Sequence, residues 1–83
     1  MAGPVKRSVT IAGHATSISL EPLFWTALAE AAEAEALPLN ALVARIDAGR
    51  IAERVPANLA SAIRIWLFER ARERSSVDNI AND

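Results

Sequence analysis

The sequence predicts a small, mainly α-helical domain with a short β segment at its start, which needs a second copy of itself to be stable. Three observations carry this. At 83 residues the chain forms one domain at most, and one this short buries little apolar surface alone. It has no cysteine and a single histidine, so neither a disulfide framework nor a structural metal site can compensate. Its apolar residues alternate near the start and then recur at helical spacing. Oligomerisation remains as the source of stability.

The β segment is SVTIAGHATSISL, residues 8–20, rich in β-branched residues, with Val9, Ile11, Ile18 and Leu20 separated by Ser and Thr. Two arrangements fit it. In one, residues 15–20 pair with their copy in a second chain and residues 1–14 form an arm. In the other, residues 1–14 supply the first strand of a hairpin whose turn is Gly13-His14, glycine first as a type II′ turn requires. That turn sets Val9 opposite Ile18 and Ile11 opposite Thr16.

Glu21-Pro22 starts a helix, since proline is tolerated where its missing N–H would be unpaired anyway. This helix runs to about Ala36, with Phe24, Trp25, Leu28, Ala31, Ala32 and Glu35 on one side and an acidic face at Glu30 and Glu33. After Leu37-Pro38, a second helix carries Leu39, Leu42, Val43 and Ile46 at i, i+3, i+4, i+7. A break is expected near Gly49, so residues 15–48 make the core unit and 49–57 a linker. Asn58 then caps a third helix over 58–74. Leu59, Ala62, Ile63, Trp66, Leu67 and Arg70 share one side of it, and Ile65 and Phe68 make it apolar almost all round, a helix to be covered on more than one side. Residues 75–83 read as a loose polar tail.

Charge is uneven along the chain. The net value is −1, yet residues 1–20 hold Lys6 and Arg7 with no acid, residues 21–37 hold four glutamates with no base, and residues 38–74 hold seven arginines against four acids. Basic charge thus sits in the N-terminal arm and the second half. No apolar run approaches the roughly 18 residues of a membrane span, and no secretory leader is evident, so a cytoplasmic protein with no membrane partner is expected. No nucleophile–base pair, phosphate loop or metal set is present, so an enzyme is the least expected class and no cofactor is implied.

The motifs Lys6-Arg7-Ser8, Gly13-His14, Thr16-Ser17-Ile18-Ser19-Leu20-Glu21, Phe24-Trp25, Ala27-Leu28, Leu39, Leu42-Val43, Ile46-Asp47, Asn58-Leu59 and Ser61-Ala62-Ile63-Arg64 resemble those of a family of bacterial ribbon-helix-helix proteins. The resemblance implies an intertwined homodimer with an additional C-terminal helix, and a repressor that lays an intersubunit β-ribbon into the major groove of double-stranded DNA. It implies a dimer core of Ile18, Leu20, Phe24, Leu28, Leu42, Val43 and Ile46. With those residues inward, Ala15, Ser17 and Ser19 face bases. Lys6 and Arg7 would contact phosphates, and the backbone at Leu39-Asn40 would bind one at the start of the second helix. Trp25 and Trp66 read as core or interface anchors and His14 as a turn residue. The competing reading keeps the dimer but assigns its acidic first helix or apolar third helix to a protein partner, such as a toxin.

Overall fold

The structure, a computed structural model, describes residues 3–54 and 58–82, with side chains as far as Ser75. The elements are β1 (Val5–Ile11), β2 (His14–Leu20), α1 (Pro22–Ala34), α2 (Leu39–Ala52) and α3 (Leu59–Asn82).

The two strands form an antiparallel hairpin within one chain. Of the two arrangements open to the sequence, residues 1–14 therefore supply a strand, and β2 is paired in cis. The turn differs from the expected one. Its two residues are Ala12 and Gly13, with φ of 51° and 82°, both left-handed as a type I′ turn requires. Ile11 consequently pairs with His14, Val9 with Thr16, Arg7 with Ile18 and Val5 with Leu20, which replaces the expected pairings of Val9 with Ile18 and Ile11 with Thr16. The apolar residues still share a face, because moving the turn by one residue shifts each partner by two, and the side-chain period is two.

Helix α1 begins at Pro22, with the Phe24 and Trp25 N–H groups donating to the Glu21 carbonyl. It ends two residues before the expected Ala36. Ala36 adopts a φ of 55°, its N–H donates to the Glu33 carbonyl, and the Leu37 N–H donates to the Ala32 carbonyl. This is a Schellman closure with alanine where glycine is usual.

Helix α2 runs through Gly49 to Ala52, so the expected break near Gly49 does not occur. One glycine costs a helix only about 1 kcal/mol, and the Arg50 guanidinium donates to the Asp47 carboxylate at 2.7 Å, bridging the position from both sides. The chain leaves the helix at Arg54, whose φ is 54°. The rest of the expected linker, residues 55–57, lies outside the described residues.

Helix α3 is capped as the sequence predicts, the Asn58 Oδ1 accepting the Ser61 N–H at 2.9 Å. Its backbone stays helical to Asn82, where a loose tail from residue 75 was expected; Asp83 lies outside the described residues.

One core joins all five elements. Val9, Ile18, Leu20, Trp25, Leu28, Ala31, Ala32, Leu42, Val43, Ile46, Ile63 and Leu67 are buried together, and Leu20, Leu28, Leu42, Val43 and Ile63 lose their exposure to water completely. Of the residues expected in a core shared by two chains, all but Phe24 are buried within a single one; Phe24 is half-buried at its margin. Helix α3 makes this closure possible by packing on α1, α2 and β2. Its outer side is uncovered in the single chain, with Ile65 50 % and Phe68 62 % exposed, against the expected cover on more than one side.

Candidate nucleic-acid interface

Directly opposed residues of an antiparallel pair share a face, so the register divides the hairpin cleanly. Val5, Arg7, Val9, Ile11, His14, Thr16, Ile18 and Leu20 point to the helix side. Lys6, Ser8, Thr10, Ala15, Ser17 and Ser19 point away, and all six are exposed except Ser19, which is partly covered. The outer face is a grid of three pairs: Lys6 with Ser19, Ser8 with Ser17, and Thr10 with Ala15. It carries one ammonium group, four hydroxyls and no carboxylate.

The sequence-predicted residues Lys6, Ala15, Ser17 and Ser19 are thereby brought together. Ser8 and Thr10 belong to the same face; they join it only because β1 pairs with β2 within the chain, the arrangement the sequence leaves open. Arg7 does not belong there. It points to the opposite face, where its guanidinium lies over the Trp25 ring, 5.1 Å from the centroid. Trp25 also donates its indole N–H to the Val5 carbonyl at 2.9 Å. One buried tryptophan thus anchors β1 twice, through backbone and side chain.

Leu39 and Asn40 lie apart from the hairpin residues, at the first turn of α2. Pro38 precedes them, its carbonyl accepting from the Ala41 and Leu42 N–H groups, and no side chain caps this end. Leu39 packs its side chain against the core, so its backbone and that of exposed Asn40 are what this end offers an anion.

The far end of the hairpin is held by Arg64 of α3. Its Nε donates to Glu21 Oε1 at 2.9 Å, its Nη2 reaches the Ser19 carbonyl at 3.4 Å, and its guanidinium lies 5.8 Å from the Phe24 ring centroid. The bond from Arg64 holds the Glu21 carboxyl below its ordinary value. Arg64 stands in the sequence as part of a motif, but its partners, 43 and 45 residues away, left no local signal.

Among the described residues no group of three or more His, Cys, Asp or Glu side chains could hold a metal ion, and no helix is long and apolar enough to cross a membrane. Comparison with known families matches residues 4–71 to the ribbon-helix-helix domain. Neither the curated proteins nor the solved structures yield a match to the chain.

Proposed function

We propose that this chain, which belongs to the ribbon-helix-helix domain family, is a DNA-binding regulator that presses the outer face of its β-hairpin into the major groove. A two-stranded ribbon fits that groove. The observation that carries the reading is the acid-free outer grid of Lys6, Ser8, Thr10, Ala15, Ser17 and Ser19, on a chain whose overall charge is negative. Polyanion binding requires just such a local departure from the mean. The Gly13-His14 and Thr16–Glu21 motifs support the same reading. The working form is a homodimer, acting as a transcriptional repressor in the bacterial cytoplasm, with the start of α2 at Leu39-Asn40 as a backbone phosphate contact.

Titration of duplex DNA by fluorescence anisotropy at two salt concentrations tests this. Wild-type affinity should fall steeply as salt rises. Ser17→Glu, placing a carboxylate at the middle of the grid, should abolish binding and leave the fold intact. Lys6→Ala should weaken binding to all sequences alike and lower the salt slope by about 1 for each subunit bound. Arg7→Ala should leave the slope unchanged, because Arg7 stacks on Trp25. Lack of affinity at low salt refutes the reading. It would favour a protein-binding module, for which the exposed apolar residues Ile51, Ile65 and Phe68 and the acidic face at Glu30 and Glu33 are the supporting observations.

A further inference from the structure

The outer grid changes character along its length. Nearest α1, Lys6 and Ser19 offer a cation and a hydroxyl; in the middle, Ser8 and Ser17 offer two hydroxyls; beside the turn, Thr10 and Ala15 offer two methyl groups and one hydroxyl. Serine hydroxyls donate and accept, so they suit several bases and discriminate little. Methyl groups are more selective. In the major groove the 5-methyl of thymine is the apolar mark on a base edge, and alanine and threonine methyls are its matching contacts.

Geometry brings the two methyl-bearing residues together. Thr10 and Ala15 are one step from the pair that closes the turn, at a non-hydrogen-bonded position where opposed Cα atoms are about 4.5 Å apart and side chains lie closest. Both are exposed. The imidazole of His14 belongs to the opposite face with Ile11, so it does not shield them.

We infer that Thr10 and Ala15 form a thymine-reading element at the tip of the hairpin, so that β1 supplies base specificity alongside β2. This rests on the groove-binding reading above. It also gives Ala15 a positive role, as one wall of a methyl contact.

The experiment starts by selecting duplexes from a random-sequence library with the whole chain, then replacing each thymine of a selected duplex with deoxyuridine, which lacks only the methyl. Wild-type protein should lose about fourfold in affinity per methyl contact removed, the equivalent of about 0.8 kcal/mol per buried methyl-sized group. Thr10→Ser and Ala15→Gly should each blunt that sensitivity. Thr10→Val, which keeps the methyl and loses the hydroxyl, should retain it, and circular dichroism confirms that each variant is folded. Deoxyuridine tolerated at every position by a wild-type protein that binds its selected duplex overturns the inference and leaves groove binding standing. Undiminished sensitivity in folded Thr10→Ser does the same. Failure of the wild type to bind any duplex at low salt overturns both.

Discussion

Replacing Trp25 by phenylalanine tests whether β1 is an integral strand or an arm. Trp25 is only 4 % exposed, its indole N–H holds the Val5 carbonyl, and its ring carries Arg7. Phenylalanine keeps an aromatic ring in the core but removes the donor, at a net cost of about 1 kcal/mol, near the middle of the usual range because Val5 is exposed and water can replace the lost partner. A smaller ring face weakens the guanidinium stack by a further fraction of about 0.5–1 kcal/mol, and the volume lost from the core adds roughly 1 kcal/mol. The expected destabilisation is about 2–3 kcal/mol, measured by urea titration followed by circular dichroism, which corresponds to a melting shift of roughly 8–24 °C for a domain of this size. Amide hydrogen exchange supplies the positional readout, since β1 amides should lose protection more than those of α2. A loss below about 0.5 kcal/mol, with β1 exchange unchanged, would refute the anchoring role of Trp25.

Two further outcomes follow from the same geometry. Glu21 is held below its ordinary pKa by Arg64, so the ion pair contributes stability above the unfolded-state value, and that contribution is lost as pH falls through the folded-state value. Acid titrations of stability should show a shallower decline for Glu21→Gln than for wild type, and matching curves would dismiss the pair. Leu28→Ala should destabilise by about 2–5 kcal/mol because the side chain is completely buried, whereas Glu33→Ala on the exposed face should change stability little; equal effects in denaturant would mean that the helical faces are wrongly assigned.

Periodicity made much of the fold legible. Alternation at Val9, Ile11, Ile18 and Leu20 gave the ribbon, and the stripe of Leu42, Val43 and Ile46 gave the buried face of α2. Proline and asparagine marked the starts of α1 and α3 because their preferences act locally. The misreadings cluster where the chain turns. Ala12, Ala36 and Arg54 take the left-handed conformation usually left to glycine, so residue type does not fix those positions: Gly13 marks the hairpin turn but not that Ala12 shares it, and Gly49, which does resemble a stop, sits inside a helix. At the candidate interface, β2 reveals its outward residues by alternation, but Ser8 and Thr10 join that face only because β1 pairs with β2 within the chain, which alternation alone does not decide against pairing with a second copy. The charge of Arg7 points to phosphate, while the ring it stacks on, Trp25, lies 18 positions along the chain, beyond the reach of any local pattern.

The order of the elements bears on how this chain is made. During synthesis the hairpin, α1 and α2 leave the ribosome first, and their shared apolar surface stays wet until Ile63 and Leu67 arrive on α3 to close it. Until then the nascent chain is an adhesive half-product, open to capture by chaperones or by another unfinished copy. A premature stop before Asn58 would leave that condition permanent. In the finished chain α3 closes that surface, and Arg64, reaching back to Glu21 and Ser19, ties the closing helix to the end of the hairpin.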